Sequence, residues 1–133
     1  MRKFVVRDLV NGVLVPLNSL FDRLPMLWRQ SYRLRNLRLF STQSIGASTL
    51  LLEKDTWNED GVLMNFGDFC EFLHGSFQVI DGEIEVIDSL NCESIVRIEC
   101  FDASEWELST DSTEVCAAIT TEFGGKSENL NAS

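Results

Sequence analysis

The chain has 133 residues, of which 44% are apolar and 24% charged, with a formal charge of −10 and a pI near 4.4. A chain of this size buries roughly two-thirds of its unfolded surface, which predicts one compact domain and excludes wholesale disorder. Two prolines and one histidine exclude collagen-like, proline-rich and polyhistidine readings, and the acidic balance argues against nucleic-acid binding.

Taken in order, Met1 to Val6 is an apolar start broken by Arg7-Asp8, too short for a signal-peptide core. No stretch approaches the ~20 apolar residues of a membrane span, so a cytoplasmic chain with no membrane partner is expected. Phe4-Val5-Val6 and Val13-Leu14-Val15 flank Asn11-Gly12. Asn-Gly suits the positive-φ positions of a tight turn, which predicts a hairpin over residues 3–17. Leu20, Leu24, Leu27 and Trp28 then fall at helical spacing, with Asn18 or Ser19 as cap. Pro25 either separates two short helices or opens the second. Residues 31–40 alternate arginine with apolar side chains and fit a helix end or a strand.

Ser48 to Leu52 reads as a buried strand, Asp55 to Gly61 as a polar turn holding Trp57, and Val62 to Phe66 as the returning strand. Asp68 to His74 resembles a short helix stopped by Gly75. Phe77 to Ile80 and Glu83 to Ile87 flank Asp81-Gly82, again a hairpin signal. Ile95 to Phe101 is a further strand. Asp111 is the expected cap of a final helix, with Glu114 as its box partner and Val115, Cys116, Ile119 and Phe123 on one face. Gly124-Gly125 ends it. The expectation is a single α+β domain over residues 1–125, with a flexible tail over 126–133. Its sheet is mostly antiparallel, about five to seven strands, with two or three helices packed on it and the C-terminal helix closing the fold.

Charge is distributed unevenly. Residues 1–52 hold eight basic side chains against Asp8 and Asp22, whereas residues 53–133 hold 19 acids against Lys54, Arg97 and Lys126. Asp81, Glu83 and Glu85 occupy alternate positions, which in a strand aims all three carboxylates to one side while Ile84 and Val86 enter the core. Asp88, Glu99, Asp102, Glu105 and Glu107 continue the bias. Such a face serves as a docking surface for a basic protein, or simply as a solvated strand face that resists aggregation. Trp57 and Trp106 sit among polar neighbours. Core packing is their default; if exposed, they become anchors of an interface. Arg29, Arg33, Arg35 and Arg38, interleaved with Trp28, Tyr32 and Phe40, resemble a nucleic-acid patch, but the negative field of the whole chain favours internal salt bridges to the acidic half or a rim contact with an acidic patch.

The chemical motifs are sparse. Cys70, Cys92, Cys100 and Cys116 form no C-x-x-C pair, so a zinc ribbon or thioredoxin-like motif is not expected. His74 follows Cys70 by four residues, but no orienting third group accompanies them. The loop from Asp55 to Gly61 lacks the ligand spacing of a calcium site, and no glycine-rich phosphate loop occurs. No metal, cofactor or catalytic residue is assigned.

Ser104-Glu105-Trp106, then Thr110-Asp111 and the helix from Val115 to Phe123, resembles the C-terminal end of some immunity proteins of bacterial contact-dependent growth inhibition systems. The match covers about 20 residues and assigns no individual role. The resemblance implies a small acidic protein that neutralises one cognate toxin, often a basic nuclease. The expected function is therefore an inhibitor that binds a basic toxin through Asp81, Glu83, Glu85, Asp88, Glu99, Asp102, Glu105, Trp106, Glu107 and Trp57. The alternatives are a phage or mobile-element antagonist whose carboxylates mimic nucleic-acid phosphates, a small enzyme using an Asp/Glu pair, and an interaction subunit that engages two neighbours through its basic and acidic flanks.

Overall fold

The computed structural model describes residues 2–10, 12–40, 52–74 and 78–130. The strands are β1 (Arg2–Val6), β2 (Leu9–Val10), β3 (Val13–Leu14), β4 (Ser31–Phe40), β5 (Val62–Met64), β6 (Gln78–Ile87), β7 (Ser94–Phe101), β8 (Glu105–Thr110) and β9 (Ser127–Asn129). The helices are α1 (Leu17–Arg23), α2 (described over 52–55), α3 (Phe66–Leu73) and α4 (Thr113–Phe123). Seven strands form one sheet in the order β5-β4-β6-β7-β8-β1-β9, while β2 and β3 pair separately. Every pairing is antiparallel, as expected for an α+β domain.

Cross-strand register decides which side chains are buried. Leu34, Ile84, Ile98, Leu108 and Phe4 lie opposite one another across five strands and share one face. All five join the hydrophobic core with α1, α3 and α4. The rings of Phe21 on α1 and Phe69 on α3 meet at 5.0 Å, and Tyr32 of β4 stacks on Phe69 at 3.9 Å. The Tyr32 hydroxyl donates to the Leu27 carbonyl at 2.6 Å, so its polar end is satisfied inside the core.

Several expectations change. The Asn11-Gly12 hairpin is only the short β2–β3 pair; Phe4 to Val6 instead pair with β8 on one side and β9 on the other, where Phe4 and Val6 join the core beside Leu108 and Trp106. Asp81-Gly82 is not a turn. β6 runs through it, because a bulge on β4 brings Leu37 against Gly82, where a Cβ would stand 2.4 Å from Leu37 Cδ2. The strand expected over residues 48–52 lies outside the described residues except for Leu52, which is helical. Residues 31–40 are strand, and Pro25 opens a 3-10 turn after α1 stops. Ser112, not Asp111, caps α4, accepting the Val115 N–H at 3.3 Å. The expected tail contributes β9, held by Arg7 N–H to the Lys126 carbonyl at 2.9 Å and by Lys126 Nζ on Asp8 at 2.8 Å.

Candidate functional site

The face opposite α1, α3 and α4 carries two charged rows. One runs Arg35, Glu83, Glu99, Glu107, Val5 across adjacent strands, and the next runs Arg33, Glu85, Arg97, Ser109, Lys3. The uneven charge along the chain thus becomes alternation across the sheet. Basic β4 and β1 are N-terminal in sequence, yet they flank the acidic strands in space.

Most of these carboxylates are already paired. Arg38 reaches Asp81 at 2.7 Å, Lys3 reaches Glu107 at 3.1 Å, and Arg7 reaches Glu105 at 3.4 Å and Glu128 at 3.3 Å. Arg97 Nε stands 2.6 Å from Glu83 Oε1, though its N–H is not aimed at that oxygen and neither atom makes a hydrogen bond. Arg97 and Arg33 also approach Glu85, at 3.7 and 3.9 Å. The broad acidic face expected from sequence is therefore a mixed lattice. The basic partners are partly exposed while the carboxylates of Glu83, Glu85, Glu105 and Glu107 are half-buried, and of these pairs only the exposed ones, at Asp81 and Glu128, contribute little stability. Among the described residues, Glu99 is the carboxylate of this face with no ion pair. Partial burial, then Glu83 and Glu107 on either side, push its carboxyl above the usual range.

Glu99 borders a shallow groove of about 420 Å³, lined also by Trp57, Asp81, Glu83, Phe101 and Asn36. Trp57 is 58% exposed, yet its indole N–H donates to the Leu37 carbonyl at 2.9 Å, which fixes the ring. The turn that carries it is pinned as well. Buried Thr56 accepts the Leu37 N–H on its hydroxyl at 3.0 Å and the Asn36 N–H on its carbonyl at 2.8 Å. On the far side, Phe101 leads into a turn whose Asp102 and Ala103 both have positive φ (52° and 53°). That turn is tied to β6: Asp102 N–H donates to Asp81 Oδ1, and Ala103 N–H to the Ile80 carbonyl. Cys100, which also lines the groove, is buried, and that burial pushes its thiol up to about 11, which disfavours the thiolate form.

The structure brings together Trp57, Asp81, Glu83 and Glu99 around the groove, with Glu85, Glu105 and Glu107 on the same face. Asp102 lies at its rim. Two expected residues do not belong. Trp106 is 3% exposed and donates its indole N–H to the Val15 carbonyl at 2.9 Å, because its position on β8 faces the core. Asp88 lies beyond the opposite end of β6, where its carboxylate caps the N–H groups of Leu90 and Asn91. There it lines a second cleft of about 390 Å³ with Glu93, Asp111 and Glu114. Phe101 was missed by the sequence reading, although it shares alternation with Glu99. Among the described residues no group of side chains suits a metal ion, and no helix is long and apolar enough to cross a membrane. No family model, curated protein or solved structure matches the chain.

Proposed function

We propose that this protein acts by binding, as an immunity-type inhibitor that docks a basic toxin, such as a nuclease, on the charged face of its sheet. The observation that carries the reading is a rigid, exposed tryptophan beside a carboxylate left without a cation on a face where its neighbours are paired. A preset aromatic ring loses little entropy on contact, and such rings anchor interfaces. Glu99 is repelled from both sides by Glu83 and Glu107 in the free protein, a cost that a partner's cation relieves. Like charges opposite each other on adjacent strands persist here although each works against folding, which points to a use outside folding.

The test is co-expression with the toxin domain encoded beside the gene. The expected result is protection of the cells and a stable complex whose association slows as salt rises. Trp57→Ala and Glu99→Gln should each weaken that complex, while a charge change at Glu122, on the exposed side of α4, should not. Unprotected cells, or a complex indifferent to both groove variants, overturn the reading.

A further inference from the structure

We infer that the groove beside Glu99 receives one arginine side chain of the partner, and that it selects arginine over lysine. The inference rests on the docking reading above and names the group that docks.

The choice follows from the chemistry left open there. The walls supply two exposed rings, Trp57 and Phe101, the latter 44% exposed. Glu99, two residues before Phe101 on β7, lines the same groove with a carboxylate that has no ion pair among the described residues. A planar guanidinium stacks on an aromatic face and offers a fork that matches both carboxylate oxygens. An ammonium is a strongly hydrated point charge that does neither as well. The neighbouring carboxylates take cations of both kinds, Arg38 at Asp81, Arg97 beside Glu83 and Lys3 at Glu107, so the preference for arginine rests on the two rings. An incoming cation at Glu99 breaks the run of three adjacent carboxylates. Arg35, which has no ion pair among the described residues, does not fill the role. It stands opposite Glu83, so two strand spacings, roughly 10 Å of backbone, separate it from Glu99. The stem of an arginine can lie along the rings with its head at Glu99.

The experiment titrates the protein with the capped tripeptide acetyl-Gly-Arg-Gly-amide and with its lysine and citrulline counterparts. The Trp57 indole N–H and the backbone amides of Glu99 and Phe101 are followed by NMR. The arginine peptide should give saturable shifts at all three, about threefold or more tighter than lysine, with citrulline giving none. Glu99→Gln, which keeps the shape of the side chain, should weaken arginine binding about tenfold. Phe101→Leu should narrow the gap between arginine and lysine, and unchanged spectra elsewhere show that each variant folds. Equal binding of lysine or citrulline, no saturable shift, or shifts centred away from Trp57 and Glu99 overturn the inference. If the peptides fail while the groove variants still weaken the toxin complex, arginine selection falls and docking stands. If the toxin ignores those variants, docking itself falls.

Discussion

Glu99 lies directly opposite Glu107 on β8, with Glu83 opposite it on the other side, so three carboxylates stand side by side across three strands. Lys3 and Arg97 attend the outer two, and the middle one has no ion pair among the described residues. Like charges at opposed positions oppose folding by roughly 0.2–1 kcal/mol per pair. Glu99→Gln should therefore stabilise the free protein by about 0.5–1 kcal/mol at neutral pH, while weakening the proposed toxin complex. Its native carboxyl is shifted up, so the native state holds a proton that the unfolded chain releases first. The destabilisation thus develops as pH rises through that raised value, and the advantage of Glu99→Gln should fade as pH falls below it. Denaturant unfolding of both proteins across pH checks the sign; an advantage that grows in acid would contradict the ladder.

Asp8 has the opposite sign. Its carboxylate is 2% exposed and accepts from Lys126 Nζ and Arg23 Nη1, both at 2.8 Å. The hydrogen bond from Lys126 holds its carboxyl below the usual range, with Arg23 adding to it and burial opposing. The unfolded chain therefore takes up the proton first as pH falls. The stabilisation is complete above about pH 4, the ordinary value of an aspartate, and is lost as pH drops through the lowered native value. Asp8→Asn should cost about 1–3 kcal/mol at neutral pH, the cations it leaves being partly exposed and able to recover water. Its stability curve should also be flatter than that of the parent below about pH 4.

Ala103 adopts φ 53° next to Asp102 at 52°, a turn geometry that glycine enters freely and alanine does not. The left-handed region costs an L residue roughly 1–2 kcal/mol, while replacing alanine by glycine loses about 0.4–1 kcal/mol through the looser unfolded chain. Ala103→Gly should therefore stabilise by about 0.5 kcal/mol, and the β-branched Ala103→Val should destabilise by more than 1 kcal/mol, on the order of the full left-handed cost. Thermal unfolding of the pair reads both signs. Because the turn N–H groups bind Asp81 and Ile80, neither change should disturb Trp57 across the groove.

How much of this was legible in the chain follows from which forces are local. The alternation of Glu83 and Glu85 with Ile84 and Val86 announced a strand with one acidic side, and the apolar face of α4 announced its packing. Residues 31–40 were ambiguous because Arg29 and Arg33 fit a helical turn while Tyr32 and Leu34 alternate with arginines. Burial of both apolar side chains on one sheet face resolves it. Trp57 and Trp106 have similar polar neighbours in sequence and opposite fates, since one sits in a turn and the other at an inward position of β8. Nothing local separates them. The pairing of acids with arginines depends on strand order, in which β4 and β1 return to flank strands far away in sequence. For the same reason Glu99 could not be singled out before register was known.

Gly82 links the sheet to the groove, and its replacement tests whether Trp57 is positioned from behind. A Cβ there would stand 2.4 Å from Leu37 Cδ2 and 3.1 Å from Leu37 Cα, and φ at Gly82 is 149°, where side-chain-bearing residues are strained. Leu37 is fully buried, so its side chain cannot swing into solvent and its backbone must give. Overpacking of this kind costs about 1–3 kcal/mol. The consequence extends further, because Leu37 offers its carbonyl to the Trp57 indole and its N–H to Thr56. Gly82→Ala should therefore lower stability and also shift the Trp57 indole N–H resonance and weaken the proposed toxin complex, though no carboxylate or ring has been touched. Gly12→Ala is the control. It too has a positive φ, 78°, but no atom lies within 4 Å of the added Cβ, so it should cost about 1 kcal/mol from backbone strain alone and leave Trp57 unchanged. Equal effects of the two on the indole signal would mean that Leu37 does not position the ring.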